Sequence, residues 1–273
     1  ETSGTCIFIE GINNMINNNI CYDSTVGIFL AAANHCVIVG NSIYGNNLGT
    51  GIKLSNSPYN NIVGNFIYIM KWGITLDTDA NYNSVSSNVC YGNAYYGLNI
   101  NDCDFNAINA NIFSNNERHG IYINESNNNT INSNTVSNND SDTGDPQAGI
   151  YLNGLCDDNI ISNNILMNNN NIGMGTGYGI YILATCDNNI ISGNKLSGND
   201  TDYFDGGVGT KLFGDDAVYG AGWNGDLGTA TKNAIYITNS SYNTISGNTC
   251  ENNDSNTATL KLVCLLLITP ILT

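Results

Sequence analysis

The sequence predicts an all-β protein, a right-handed parallel β-helix of about nine coils with three short strands in each coil. Three observations lead to this fold class. The chain repeats itself about every 23 residues, aliphatic side chains occupy fixed columns of that repeat, and asparagine occupies two further columns. Asparagine ladders are therefore expected at the corners between strands.

The repeat opens on a glycine followed by alternating apolar residues, as in the segment Gly-Ile-Tyr-Ile. Its nine copies start at Cys6, Gly27, Gly51, Gly73, Gly97, Gly120, Gly149, Gly179 and Ala234. Successive starts are 21, 24, 22, 24, 23, 29, 30 and 55 residues apart, so the extra residues fall in the last three intervals. Because one repeat is too short to bury its own apolar side chains, the copies are expected to stack on one another.

Two asparagine columns follow the opening strand of each copy. The first holds Asn14, Asn60, Asn83, Asn106, Asn129, Asn159, Asn189 and Asn243, with Cys36 as its one exception. The second holds Asn19, Asn41, Asn65, Asn88, Asn111, Asn134, Asn164, Asn194 and Asn248. Asparagine tolerates the left-handed backbone of a tight corner, and stacked amides hydrogen-bond from coil to coil.

The repeats place one β-helical domain over residues 1–256, with insertions near 138–148, 168–178 and 200–233. The last insertion is rich in glycine and is expected to form a loop or small subdomain against the side of the rod. Residues 257–273 form an apolar tail that is too short for a membrane helix, so we expect a cap, a subunit interface or a truncated anchor. Because Glu1 opens without a leader, the chain is expected to be processed or part of a longer protein.

The composition excludes some classes of function. The chain carries 7 Lys and Arg against 23 Asp and Glu, a formal net charge of −16. Nucleic-acid binding needs a basic face that displaces counterions, so no nucleic-acid partner is expected. Cations and neutral glycans are the partners that such acidity favours. Membrane contact is expected only if the apolar tail is a truncated anchor.

Nine cysteines are present, and most fall in columns of small or apolar residues, where a free thiol packs as a small hydrophobic group. One column holds Cys21, Cys90 and Cys250, and another holds Cys103, Cys156 and Cys186. Cys156 and Cys186 lie in successive coils, close enough for a disulfide bridge if their side chains point the same way. No CxxC spacing occurs, so zinc is not expected.

The pattern Gly-Ile-x-Ile followed by Asn-x-Ile-x-x-Asn-x-Ile resembles the parallel β-helix repeats of the NosD-like family and of the family of carbohydrate-binding proteins and sugar hydrolases. The resemblance covers about residues 4–256. It implies a secreted or cell-surface protein that binds or modifies polysaccharide. Lyases, epimerases and hydrolases share this repeat, and so do many repeat proteins without catalysis.

Residues able to carry catalysis are sparse. Arg118 and His119 precede one strand, while Asp102 and Asp104 follow the strand one coil earlier. Acid, base and cation are expected to converge only here if the chain is a polysaccharide lyase or epimerase. Two carboxylates about 5 to 9 Å apart, as glycoside hydrolases need, could come from this aspartate pair or from a similar pair one coil earlier. We favour solvated corner acids, because neither pair sits in a motif of those enzymes.

A stripe of tyrosines is the first candidate binding site. Tyr122, Tyr151, Tyr181 and Tyr236 share the outward position of the opening strand in the later copies. Exposed aromatic faces bind sugar rings or partner proteins. Alternatively, the insertions cover this stripe, or the stacked rings only stabilise the sheet. Trp223, in the long insertion, is expected beside the stripe as a further ligand-binding residue.

Two acidic loops are the candidate metal sites. They place aspartates at matching positions, Asp140, Asp142 and Asp145 in the first and Asp200, Asp202 and Asp205 in the second. Clustered carboxylates on a glycine-containing loop suit Ca²⁺, a hard cation that takes many oxygen ligands. Solvated turn residues are the alternative, and no other cofactor is expected.

The functional prediction is a β-helical rod at the cell surface or outside the cell, with a structural role, a glycan-binding role or both, and part of a longer chain or assembly. Its expected partners are a polysaccharide or other glycan, or neighbouring surface-protein subunits. The rival hypothesis is a polysaccharide-active enzyme that works on one face of the rod.

Overall fold

The computed structural model describes residues 4–139, 147–170 and 176–213, and the backbone of four further strands between residues 216 and 251. Three parallel sheets run the length of this part of the chain, and each sheet contains ten strands. All hydrogen-bonded strand pairs are parallel, and each strand pairs with the strand three places further along the chain. The all-β parallel solenoid is thereby confirmed.

The strands form ten coils of three. Coils 1 to 4 consist of β1 (Thr5–Ile12), β2 (Met15–Asn17), β3 (Ile20–Tyr22), β4 (Val26–Asn34), β5 (Val37–Val39), β6 (Ser42–Tyr44), β7 (Thr50–Ser55), β8 (Asn61–Val63), β9 (Phe66–Tyr68), β10 (Trp72–Asp77), β11 (Ser84–Ser86) and β12 (Val89–Tyr91). Coils 5 to 7 consist of β13 (Tyr96–Asn101), β14 (Ala107–Asn109), β15 (Ile112–Ser114), β16 (Ile121–Asn124), β17 (Thr130–Asn132), β18 (Thr135–Ser137), β19 (Gln147–Asn153), β20 (Ile160–Ser162) and β21 (Ile165–Met167). Coils 8 to 10 consist of β22 (Gly177–Ile182), β23 (Ile190–Ser192), β24 (Lys195–Ser197), β25 (Thr201–Asp205), β26 (Lys211–Phe213), β27 (Asp216–Val218), β28 (Tyr236–Ile237), β29 (Thr244–Ser246) and β30 (Thr249–Glu251).

One coil lies where the sequence indicated only an insertion. β25, β26 and β27 add a ninth coil within residues 201–218, so the last repeat belongs to coil 10 rather than coil 9. In this coil Asp202 stands in the register position of the opening glycine, and Tyr203 pairs with Ile180 of the coil before. The repeat is hard to see in the sequence because the glycine and the two inward aliphatic residues of its first strand have been replaced.

The core is a set of aliphatic columns inside the rod. In coils 2 to 8, every inward side chain of the first sheet is fully buried, and the inward columns of the other two sheets are buried as well. Ile121, Ile123, Ile131 and Val136 show this for coil 6. Each coil buries its apolar side chains against the coils before and after it, which stabilises the stack by the hydrophobic effect.

The opening glycines are required by the closeness of successive coils. A Cβ added to Gly97 would lie 2.7 Å from the carbonyl oxygen of Gly120 and 2.8 Å from a ring carbon of Phe113. Contacts this short essentially never occur at real Cβ atoms, and a backbone oxygen cannot move aside cheaply. In coils 2 to 8, only glycine therefore fits where the third sheet turns into the first.

Both expected asparagine ladders are present at the corners. In the ladder between the second and third sheets, the backbone N–H and the side-chain amide of Asn88 both donate to Oδ1 of Asn111, at 2.9 and 3.0 Å. Asn111 donates in the same way to Asn134, at 2.9 and 3.0 Å. In the ladder between the first and second sheets, Cys36 replaces asparagine but its N–H still donates to Asn60.

A third ladder, which the sequence did not predict, lies between the third and first sheets. It consists of Asn93, Asn116, Asn139, Asn169 and Asn199, all buried. Each side-chain amide donates to Oδ1 of the next member at 2.8 to 3.1 Å. The side-chain amide of Asn199 donates to Asp202 at 2.9 Å, so the acid of coil 9 takes the place of the next asparagine.

Six of the seven cysteines in the described residues lie in the core, and Cys6 is exposed. Cys21, Cys36, Cys90, Cys103, Cys156 and Cys186 are buried free thiols. Cys156 and Cys186 are not bridged. Packing in the core therefore accounts for these six residues in the structure.

Several sequence predictions lie outside the described residues. They concern the insertion residues 140–146 and 171–175, Trp223, and the apolar tail 257–273. In the described coils, no helix is long and apolar enough to cross a membrane.

Candidate functional site

The outer face of the first sheet brings the predicted tyrosine stripe together. Tyr122 pairs in register with Tyr151, and Tyr151 with Tyr181, so the three rings lie on consecutive coils. One correction concerns the next position, because Phe204 of coil 9 lies between Tyr181 and Tyr236. The three tyrosines are half-buried, so in the described coils the stripe is neither fully covered nor fully open.

The stripe belongs to a larger aromatic surface, which comprises Trp72, Tyr95, Tyr96, His119, Tyr122, Tyr151, Tyr178, Tyr181 and Phe204. These rings form a continuous chain of contacts over coils 4 to 9. For example, Tyr96 stacks on Tyr122 with ring centroids 4.7 Å apart, and Tyr181 stacks on Phe204 at 4.6 Å. Aromatic pairs of this kind stabilise one another beyond their buried area.

Tyr151 differs from its neighbours in orientation. Its ring plane is inclined 69° to that of Tyr122 and 76° to that of Tyr181. Tyr122 is instead nearly parallel to Tyr96, at 16°, and Tyr181 to Phe204, at 11°. The stacked rings cover one another's faces. Tyr151 does not stack on either coil neighbour, and a ring oriented in this way can offer a face to a ligand.

Basic side chains border the aromatic surface where the strands of the first sheet begin. Lys71, Tyr95 and Arg118 form one column, since the N–H of Tyr95 donates to Lys71 and the N–H of Arg118 donates to Tyr95. The ammonium of Lys71 lies 4.7 Å from the centre of the Tyr95 ring, and the guanidinium carbon of Arg118 lies 4.0 Å from it. Lys71 also lies 4.2 Å from the Trp72 ring.

His119 is a buried part of this surface. Only 4% of the side chain is exposed, and its Nδ1 accepts the backbone N–H of Ala148 at 3.0 Å. The ring stacks on Tyr96 and Tyr122. Burial, and then the charge of Arg118, lower the pKa of His119 to about 3. The imidazole is therefore neutral at physiological pH and holds Ala148 in place.

The match of the family model for the right-handed β-helix region spans residues 5–166, more than half of the chain. The chain belongs to this family. No curated protein sequence matches it. For this β-helix protein the fold class and the resemblance of the repeat to β-helical families are both confirmed.

Solved structures with the same fold include carbohydrate-related proteins. A mutant of the periplasmic alginate epimerase AlgG is 14% identical with a TM-score of 0.57, and the match covers 86% of this chain and 73% of that one. The Dettilon tailspike protein is 16% identical with a TM-score of 0.53, over 88% of this chain and 59% of that one. The A-module of the mannuronan C-5 epimerase AlgE6 from Azotobacter vinelandii is 15% identical with a TM-score of 0.52, over 91% and 77% of the two chains. At these identities the likeness establishes the fold alone.

The β-helix does not bring the predicted catalytic residues together. Arg118 and His119 precede the strand β16, whereas Asp102 and Asp104 follow the end of β13 in the neighbouring coil. The two groups are at opposite ends of the sheet, separated by about 20 Å along a six-residue strand. Asp104 has a structural role, because its carboxylate accepts the N–H of Asn127 at 2.6 Å.

The aspartates of the second predicted calcium loop are also dispersed. Asp200 accepts the N–H of Gly177, while Asp202 and Asp205 point into the rod and are buried. Burial raises the pKa of Asp202 to about 7 and that of Asp205 to about 6, although hydrogen bonds oppose both shifts. No group of three or more candidate ligands gathers in the described coils. Asp140, Asp142 and Asp145 lie outside the described residues.

A second aromatic feature was missed in the sequence. His35, Tyr59, Tyr82 and Phe105 stack along the corner between the first and second sheets, with centroids 5.0 to 5.5 Å apart. All four have a left-handed backbone, with φ between 54 and 60°. The same column holds asparagine or aspartate in coils 6 to 8, so the aromatic residues become apparent only when the coils are aligned.

Proposed function

We propose that the aromatic surface of the first sheet binds a polysaccharide that runs along the axis of the rod. The observation that carries the proposal is the continuous row of half-buried aromatic rings on one face over coils 4 to 9. A sugar ring presents an apolar face to an aromatic ring and its hydroxyls to polar groups around it. A repeating surface suits a repeating ligand, because each coil offers a similar contact to successive sugars.

The chemistry of individual residues supports this function. The hydroxyl of Tyr122 is held by the side-chain amide of Asn153 at 2.7 Å, which fixes the orientation of that ring. A fixed binding surface loses little conformational entropy when a ligand binds. The fold likeness to an alginate epimerase and a tailspike supports a carbohydrate partner and a site of action outside the cytoplasm.

The binding test compares the wild-type protein with Tyr151→Ala/Tyr181→Ala on a polysaccharide array, followed by titration calorimetry on the best ligand. We expect an affinity loss of at least tenfold, since each ring supplies about 1 kcal/mol or more of contact energy. Tyr44→Ala/Tyr68→Ala is the matched control, because these stacked tyrosines lie on the outer face of the third sheet. Equal binding by all three proteins would refute the aromatic surface as the binding site.

A polysaccharide-active enzyme is the second candidate function, favoured by the shared fold of two epimerases. On the same face, Lys53 and Asp77 form an ion pair at 3.1 Å, which places an acid and an amine within reach of a bound chain. An enzyme of this class would release unsaturated or reducing ends or change the epimer ratio of the bound polymer. Any such change that Lys53→Met abolishes, with binding retained, would establish catalysis.

A further inference from the structure

The basic residues of this acidic chain are unevenly distributed. The net charge is −16, and five basic side chains lie in the described coils: Lys53, Lys71, Arg118, Lys195 and Lys211. The first three of these lie on the first sheet, on the aromatic surface or at its edge. Three of the five basic side chains therefore gather on one face of a chain that is acidic as a whole.

Lys71 and Arg118 are held by aromatic rings. They lie on opposite sides of Tyr95 along the column, one coil before it and one coil after it. Burial raises the pKa of Tyr96, and the nearby charge of Arg118 opposes that rise. In the described coils the one Lys–carboxylate ion pair is that of Lys53 and Asp77, so the ammonium of Lys71 rests on rings alone. These cation–π contacts orient the ammonium of Lys71 without neutralising it.

We propose that Lys71 and Arg118 make this surface selective for acidic polysaccharides, whose sugars carry a carboxylate or a sulfate. The inference rests on the proposed function, because the same sugars would lie against the aromatic rings. Hydrogen bonds between a cation and an anionic oxygen are stronger than bonds between neutral groups, and Arg binds a carboxylate or sulfate with two parallel donors. The anionic groups of the polymer contact the two cations at the edge of the sheet, while its sugar rings lie against the aromatic surface.

The test measures affinity for two matched pairs of polymers by calorimetry. One pair is polygalacturonate and its carboxyl-reduced neutral form, and the other is dextran sulfate and dextran. The wild-type protein is expected to bind at least one acidic polymer tenfold or more tightly than its neutral partner. If the difference appears with polygalacturonate, the recognised group is a carboxylate. If it appears with dextran sulfate, the recognised group is a sulfate. Added salt should weaken only the binding of the acidic polymer.

The Lys71→Gln/Arg118→Gln variant should lose this preference and bind both members of the pair alike. Lys195→Gln/Lys211→Gln is the charge-matched control, because it removes two exposed cations from the outer faces of the third and second sheets. Thermal melts of both variants verify that the rod is intact.

The possible failures are distinguishable. A wild-type protein that binds acidic and neutral polymers equally well would overturn the selectivity and leave glycan binding in place. The selectivity would also be overturned if the control variant Lys195→Gln/Lys211→Gln lost the preference as completely as Lys71→Gln/Arg118→Gln. A wild-type protein that binds no polysaccharide at all would overturn both proposals.

Discussion

At the scale of single residues, the corner asparagines stabilise the fold by satisfying backbone groups that no strand partner reaches. Asn111 is an example, because its Oδ1 accepts two hydrogen bonds from Asn88 and its amide donates to Val85 at 2.9 Å and to Asn134. The side chain is almost fully buried. Without it, buried donors and acceptors lose their partners, which is more costly than the loss of one hydrogen bond.

Asn111→Ala is therefore expected to lower the free energy of unfolding by about 3 kcal/mol, because several buried polar groups lose their partners. Urea denaturation followed by circular dichroism measures the change. Asn109→Ala, two residues away and facing outward from β14, should change the stability by less than about 0.5 kcal/mol. Similar losses in the two variants would contradict a special role for the ladder.

His119 is expected to make the stability depend on pH. Its pKa is about 3 in the folded protein against an ordinary histidine value of 6.5, so the unfolded chain binds the proton more readily. The stabilising effect of the buried neutral ring is complete above about pH 6.5 and is lost as the pH falls toward 3. His119→Gln should remove about 2.5 kcal/mol from the difference in unfolding free energy between pH 7.5 and 4.5. An unchanged pH profile would contradict the burial of the ring.

The two buried aspartates of coil 9 should act in the opposite direction. The folded-state pKa values of Asp202 and Asp205 lie above the ordinary value for aspartate, so the folded protein binds protons more readily than the unfolded chain. Their ionisation therefore destabilises the fold as the pH rises above about 4. Asp202→Asn should be more stable than the wild-type protein at pH 7.5 by about 2 kcal/mol, and this advantage should shrink by pH 4.5. Melting temperatures at both pH values test the expectation, with Asp200→Asn as the half-exposed control.

At the scale of the coil, the opening glycine sets how closely two coils approach. Gly97→Ala is expected to cost about 3 kcal/mol or more, because the new methyl group meets a carbonyl oxygen and a buried ring. Gly92→Ala is the informative control, since its φ is +61° and nothing lies within 4 Å of the added Cβ. It should cost only about 1 kcal/mol, the strain of a left-handed alanine. Chemical denaturation measures the free energy of unfolding of the two variants. The difference between their losses separates the cost of steric overlap from the cost of backbone strain.

The coils also show how far the sequence predicts the structure. Two ladders could be predicted because their columns contain asparagine in almost every copy. The third ladder could not be predicted, because insertions begin directly after Asn139 and Asn169. In the sequence these two residues are therefore indistinguishable from the loop residues that follow them. Coil 9 was missed because Asp202, Tyr203 and Asp205 occupy its glycine and inward aliphatic positions.

The candidate site was only partly predictable for a related reason. The tyrosine stripe follows from one repeated position in the strand, whereas Lys71, Tyr95 and Arg118 share a column but not a residue type. Their relation depends on the stacking register, which is fixed by coils of 22 to 24 residues in this part of the chain. The predicted convergence of Asp102 with His119 was wrong, because Asp102 follows the end of β13 whereas His119 lies just before the start of β16 in the next coil.

At the scale of the whole molecule, each coil contacts mainly the coils before and after it, so stability is approximately a sum of similar units. Residues 27–50 form one complete repeat, and Val26 and Thr50 occupy the same register position. Deleting this repeat joins Val26 to Gly51 with every column aligned. The shortened rod is expected to fold, to lose about 4.8 Å of length and to keep its glycan affinity.

Circular dichroism and calorimetry on the wild-type polysaccharide ligand test the shortened rod. Deleting only residues 27–38 is the control, because it removes half a repeat and moves every later side chain out of its column. That variant should aggregate or remain unfolded. A folded half-coil variant would show that column alignment does not determine this architecture.

The asparagine ladders also give the rod a direction. In all three ladders the N–H groups of one coil donate to the oxygen of the following coil, and the order never reverses among the described coils. At the ladder positions, a cross-section between two coils thus has two unlike surfaces, one with the backbone N–H donors of the ladder and one with its Oδ1 acceptors. Two such surfaces join only in one orientation. A coil duplicated within this chain therefore stacks on its neighbours in one orientation only. The rod can lengthen by whole coils without any new type of contact between coils.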